Sequence, residues 1–163
     1  MGDSAEATYG LVMDSPIGPL RLTSDGASII ALAYDASGTS SEHIPEALHR
    51  AKYQLEDYFR GERRAFELPL MPRGTAFQQR VWDSVREIPC GSTWSYQRIA
   101  GRLGGNAVAR AIGTANGANP IPIIVPCHRV IGADGSLTGY SGGVWRKQWL
   151  LKHEGAVQAD LFG

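Results

Sequence analysis

"TWSYQRIAGRLGGNAVARAIGTANGANP", Thr93–Pro120, decides how this chain folds. Two short helical patterns flank "GGN". The first, about Ser95 to Leu103, turns Ile99 and Leu103 inward, and the second, about Ala107 to Ala115, turns Val108, Ile112 and Ala115 inward. Two such helices joined by a glycine-bearing turn read as a helix-turn-helix. The outward face of the second helix carries Ala107, Arg110, Ala111 and Thr114. Small side chains let a helix backbone approach a partner surface closely, and Arg110 stands alone above them. An ordinary solvated helix pair has the same pattern, so these residues alone do not assign a DNA partner.

Upstream, "GTAFQQRVWDSVREIPCG" places Thr75 three residues before Gln78, the spacing of a capping box, and Pro89 stops the helix that follows. Phe77, Val81, Trp82, Val85 and Ile88 fall on the helical period and are packing residues rather than a base-stacking platform. Before that, "FELPLMPRG" carries two prolines and reads as a linker. It closes an N-terminal region of three extended runs, Tyr9 to Met13, Leu20 to Thr23 and Ser28 to Tyr34, separated by turn formers. A helix follows with Leu48, Ala51, Leu55 and Phe59 on one stripe and Gly61 as its stop. Downstream of the helix pair comes a Gly-rich bend and a final helix, about Val144 to His153, closed by Gly155.

The expected fold is therefore α+β. A small N-terminal antiparallel sheet with a helix (1–70) joins a mainly helical, winged-helix-like C-terminal domain (71–163) that contains the helix-turn-helix. At 163 residues and 43% hydrophobic, the chain can bury a core in one domain or two small ones. No long apolar run spans a membrane and no signal peptide pattern opens the chain, so the expectation is a cytoplasmic protein with no membrane partner. Net charge is zero, but residues 1–70 carry six Lys/Arg against eleven Asp/Glu and residues 71–163 carry ten against five. An anionic partner should meet the second half.

"IIVPCHRVIG", Ile123–Gly132, places Cys127 between a proline and a histidine. A thiol attacks only as thiolate, and a free cysteine, with pKa about 8.5, needs a base at neutral pH. His128 is adjacent, so one bridging water is the plausible route for the proton. A histidine base is normally oriented by a third group. Glu154, near the end of the last helix, is the favoured candidate among 16 acidic residues, although spacing alone does not select it. The competing reading makes Cys127 a buried small hydrophobe beside an incidental histidine. Cys90, in "IPCGST", has no neighbouring base and keeps that structural reading.

"NPIPIIVPCHRVIG" together with "GYSGG" and "LLKHEG" closely resembles the O6-alkylguanine-DNA alkyltransferases, the methylated-DNA-protein-cysteine methyltransferase family. The match is specific from about Gly74 to Gly155; the first 70 residues fit in outline. The resemblance implies a stoichiometric, suicidal transferase. Cys127 would take the alkyl group from guanine O6 in double-stranded DNA, and O4-alkylthymine is left open as a second substrate. His128 would hold the relaying water, Glu154 would orient His128, and Asn119 would be the hinge tying the recognition helix to the active segment. The base would be flipped from the duplex. Arg110 would fill the vacated stack, Tyr96 would donate to guanine N3 and the Ser141 backbone N–H to O6. The carbonyls of Cys127 and Val130 would accept from the exocyclic amine, and Tyr140 would form a pocket wall. The second helix, with Ala107, Arg110, Ala111 and Thr114, would lie in the minor groove. No cofactor is implied, and a monomer in solution is expected, with cooperative assembly on DNA left open.

Some family members carry zinc in the N-terminal domain. This chain has no cysteine before Cys90 and only His43 and His49 there, so no metal is expected. The alternatives are a non-catalytic module that recognises alkylated bases, a regulator built from the same domain, and a cysteine hydrolase. The presence of Cys127 speaks against the first, since such modules lack the acceptor cysteine.

Overall fold

The computed structural model describes residues 7–104, 109–137 and 139–156. The chain divides into two compact units, Met1–Arg73 and Gly74–Gly163. In the first, strands β1 (Tyr9–Met13), β2 (Leu20–Ser24) and β3 (Ile29–Tyr34) form an antiparallel sheet in the order β1-β2-β3, with Leu11 opposite Leu22 and Leu22 opposite Leu32. Period-two alternation puts Leu11 and Met13 of β1 and Leu20 and Leu22 of β2 in the core, and Ile29 and Leu32 of β3, three residues apart, join them across a register shift between Thr23 and Ser24. Helix α1 (Glu46–Phe59) buries Leu48, Ala51 and Leu55 as the stripe requires, and Tyr58 rather than Phe59 is its deepest aromatic. Gly61, at φ 78°, ends it in the left-handed region that glycine adopts without penalty.

The stretch expected to be a plain linker pairs with the sheet. Ile29 N–H donates to the Pro69 carbonyl at 2.8 Å, and Met71 N–H donates to the Ile29 carbonyl at 2.9 Å, a parallel bridge between Ile29 and Leu70. Prolines exclude a helix here, but an edge pairing that needs no N–H from Pro69 or Pro72 is compatible with both. The side-chain amide of Gln54, buried on α1, secures the same segment, donating to the Glu67 carbonyl at 3.1 Å and accepting from its N–H at 2.9 Å.

In the second unit, helix α2 (Ala76–Val85) starts with the expected capping box: the Thr75 hydroxyl accepts from Gln78 N–H at 3.1 Å and the Gln78 side chain accepts from Thr75 N–H at 2.9 Å. Val81, Trp82, Val85 and Ile88 are buried, and the Trp82 indole N–H donates to the Ala115 carbonyl at 2.8 Å. Strand β4 (Trp94–Ser95) leads directly into helix α3 (Tyr96–Arg102), capped by the Ser95 hydroxyl. Helix α4 spans Ala109–Gly117 and buries Ile112 and Ala115; Ala107 and Val108, expected to open it, lie outside the described residues. Strand β5 (Val130–Ile131) pairs in parallel with β4, Trp94 opposite Val130. Helix α5 (Val144–Glu154) closes on Gly155 at φ 74°. The architecture is α+β, a small sheet with a helix followed by a mainly helical unit. No helix among the described residues is long and apolar enough to cross a membrane.

Candidate active site

Residues Ile121 to Val130 form one continuous buried segment. Its backbone turns twice within a few residues. Ile124 N–H closes on the Pro122 carbonyl at 2.9 Å across Ile123, whose φ of 73° is costly for a β-branched residue. Cys127 N–H then closes on the Val125 carbonyl at 2.8 Å across Pro126, at φ −80° and ψ 63°, the geometry of an inverse γ-turn. Pro126 thus presets the turn that delivers Cys127 at the start of a single 3-10 turn, Cys127–Arg129. Asn119 braces it from behind, donating its amide to the Val125 carbonyl at 2.8 Å and accepting from Ile121 N–H at 2.9 Å.

The Cys127 thiol is 3% exposed. Burial raises its pKa, while the side chains of Asn119 and Tyr140 and the charge of Lys147 oppose the rise. The resting group is the neutral thiol, with donors and a cation in place for the thiolate.

His128 and Glu154 are both buried, and His128 Nε2 lies 2.8 Å from Glu154 Oε2. Arg129, also buried, spans the same carboxylate: its Nε donates to Oε1 at 2.8 Å and its Nη2 to Oε2 at 3.0 Å, while Nη1 donates to the Ile88 carbonyl at 2.7 Å. Burial alone would raise the Glu154 carboxyl, but the hydrogen bonds and charges of His128 and Arg129 outweigh it and hold the group well below the usual carboxylate range. Glu154 is therefore an acceptor only, and the facing His128 Nε2 carries the proton. Burial also lowers the His128 pKa, reinforced by Arg129 and Lys147 against the pull of Glu154. The resting imidazole is neutral with its lone pair on Nδ1, and that atom has no hydrogen-bond partner among the described residues. A base is thus poised on one nitrogen and anchored by the other.

Lys147 is a second buried cation at this site. It is 1% exposed, and its Nζ donates to the Val130 carbonyl at 2.7 Å. Burial lowers its pKa from 10.5 to about 8, with Cys127 pulling the other way. Among the described residues no carboxylate pairs with it.

Tyr96, Arg110 and Thr114 meet around a cleft of about 350 Å³, together with Ala109, Gly113 and Gly139. The pairing of β4 with β5 sets Tyr96 beside the strand that follows Cys127. Gly113 lies under the Tyr96 ring, 3.6 Å from where a side chain would begin. Arg110 and Thr114 are exposed and Ala111 half-buried on α4. Tyr140 and Ser141 lie in the loop before α5, which is tied by Gly143 N–H to the Tyr140 carbonyl at 2.8 Å and by Arg146 Nη1 to the Gly142 carbonyl at 3.0 Å. Cys127 and Val130, expected beside the same ligand, do not line the cleft wall, and Val130 already accepts from Lys147. Among the described residues no cluster of His, Cys, Asp or Glu is arranged to hold a metal.

Sequence reasoning missed three residues here: Arg129, Lys147 and Asn116, whose amide donates to the Cys127 carbonyl at 3.1 Å. A signal existed for Lys147, since it shares the helical face of Leu150, Leu151 and Glu154, three, four and seven residues on.

Fold and site define a class: an α+β protein that sets a packed helix pair beside a buried cysteine linked to a histidine and a carboxylate. Comparison narrows it. Residues 8–72 match the ribonuclease-like domain, and residues 76–156 the DNA binding domain, of 6-O-methylguanine DNA methyltransferase. A Mycobacterium tuberculosis methylated-DNA-protein-cysteine methyltransferase is 51% identical over 155 residues, covering 91% of this chain and 94% of the relative. The crystal structure of Mycobacterium tuberculosis O6-methylguanine methyltransferase superposes with TM-score 0.82 at 47% identity, covering 96% of this chain and 98% of that one. That of Mycobacterium tuberculosis OGT in complex with DNA gives 0.80 at 49% identity, covering 89% and 92%. The chain belongs to the 6-O-methylguanine DNA methyltransferase family.

Proposed function

We propose that this protein repairs DNA by moving the alkyl group of O6-alkylguanine irreversibly onto Cys127, one transfer per molecule. The observation that carries the assignment of roles is the His128–Glu154 pair next to Cys127, in which an ionised carboxylate fixes the imidazole and Nδ1 has no hydrogen-bond partner among the described residues. The thiol proton passes through one bridging water to His128 Nδ1, and the resulting imidazolium rests against Glu154. The thiolate attacks the alkyl carbon in line. The S–C bond forms as the C–O6 bond breaks, and the electron pair leaves on guanine O6. A thioether is not cleaved by water, so Cys127 is not regenerated and the protein is consumed.

Arg129 has a definite place in this scheme. By neutralising Glu154 it prevents that carboxylate from drawing a proton onto His128 in advance, which keeps the base available. Lys147 supplies the charge that opposes burial of the thiolate. Fixed donors of this kind stabilise developing charge without reorganising during the reaction.

The duplex contacts α4 through its minor groove, where Ala111 and the small face admit the backbone and Arg110 fills the stack left by the flipped base. Tyr96, at the cleft wall, meets guanine N3; in this reading the Ser141 N–H from the loop before α5 meets O6 and Tyr140 closes the pocket. Titration with a duplex whose O6-methylguanine carries a labelled methyl group tests the proposal. Protein-bound label should plateau at one methyl per molecule, and Cys127→Ser should retain none. Continued release of label, or retention by the serine variant, would overturn it.

A further inference from the structure

Helix α4 carries Arg110 near its start and Asn116 in its last turn, six residues and ~9 Å further along the axis. Arg110 is exposed, whereas Asn116 is 6% exposed and faces inward with Ile112 and Ala115. The Asn116 amide reaches the Cys127 carbonyl at 3.1 Å, as that of Asn119 reaches the Val125 carbonyl at 2.8 Å. Two asparagines three residues apart thus grip the backbone on either side of Pro126. Asn119 belongs to the turn after the helix; Asn116 belongs to the helix itself.

A residue needed only to fill space would be apolar at this point. Asn116 Oδ1 is buried with no protein partner among the described residues, which costs about 1–3 kcal/mol relative to a satisfied or apolar group. The polar group is kept for its donor. Its acceptor, moreover, is the carbonyl of the reacting residue rather than a neighbouring helix.

We infer that Asn116 is a positioning residue that couples α4 to Cys127, so that seating the helix on DNA sets the nucleophile's backbone for in-line attack. The inference rests on the reading of Cys127 as acceptor and of α4 as the helix that meets DNA. Because the helix is a rigid rod, a displacement at Arg110 is transmitted to Asn116 and through one hydrogen bond to the Cys127 carbonyl. Ångström-scale misplacement of a nucleophile costs as much as about a hundredfold in rate.

Single-turnover transfer from a duplex carrying O6-methylguanine separates the saturated rate constant from the half-saturating duplex concentration. Asn116→Leu, nearly isosteric, deletes both the donor and the unpartnered acceptor. It should melt at or above the temperature of the wild type, bind with half-saturation unchanged within about twofold, and transfer at a saturated rate roughly tenfold or more lower. Asn116→Ala should show the same rate loss and guards against misfolding of the leucine variant. A wild-type saturated rate in either variant, a defect confined to half-saturation, or a rate loss that only tracks lost stability would overturn the inference. If the wild type itself acquires no methyl group, it is the transferase reading that fails.

Discussion

Replacing Lys147 by methionine should make this protein more stable and less reactive at once. The ammonium is 1% exposed and donates to one neutral partner among the described residues, the Val130 carbonyl, and its pKa falls from 10.5 to about 8. A shift of that size corresponds to roughly 3 kcal/mol. Its sign follows from the two protonation states. The unfolded chain binds this proton more tightly than the folded one, so the charged lysine opposes folding. The penalty is complete below pH 8, fades between about pH 8 and 10.5, and is absent above. Methionine keeps similar volume and removes the charge, at the cost of the hydrogen bond to Val130, worth about 1.5–3 kcal/mol for a charged donor. The net gain at pH 7 is therefore about 1 kcal/mol, in line with the replacement of buried charges by apolar groups in other proteins. By pH 10.5 the comparison reverses, and the variant should be the less stable of the two. Urea unfolding at several pH values reads the difference directly. Transfer moves the other way. Losing the cation that opposes the effect of burial raises the Cys127 pKa further, so the thiolate fraction and the transfer rate both fall. A variant that is destabilised at pH 7, or whose difference from wild type does not change with pH, would refute this account of Lys147.

Glu154→Gln strands the buried Arg129 guanidinium and should cost about 3–5 kcal/mol in urea unfolding. Because the Glu154 pKa is depressed, its contribution is present above the unfolded value near 4.5 and is lost as pH falls toward the folded one. Acid unfolding of the glutamine variant should accordingly be flatter below about pH 4.5 than that of the wild type. Thr75→Ala breaks the capping box of α2 and should cost about 1 kcal/mol while leaving the saturated transfer rate unchanged. Arg110→Ala should lower transfer from duplex DNA much more than transfer from the same lesion opposite an abasic gap, where no partner base must be replaced, as single-turnover kinetics on the two substrates would show.

Local rules made most of the fold legible. Turn formers between alternating runs gave three strands, Thr75 and Gln78 marked the start of α2, and Gly61 and Gly155 end their helices in the left-handed conformation that glycine allows. The bridge between Ile29 and Leu70 was hidden because prolines announce only what a segment cannot be. At the site, Cys127 and His128 are neighbours in sequence, so their chemistry could be read there. Glu154 is the favoured carboxylate in the sequence, but only the family resemblance makes that choice firm, since 26 residues separate it from His128 and only the return of α5 joins them. Arg129 reads as a surface cation until Glu154 and Ile88 surround it. Asn116 looks like any polar residue at a helix end, because its acceptor, 11 residues away, is a backbone carbonyl whose direction depends on the turn at Pro126.

The most direct test is intact-protein and peptide mass spectrometry after incubation with an oligonucleotide duplex containing O6-methylguanine, with Cys127→Ser in parallel. The account predicts one added methyl group, located on the peptide that contains Cys127 and absent from the variant. Binding without modification, or a methyl group on Cys90 with Cys127 untouched, would contradict it.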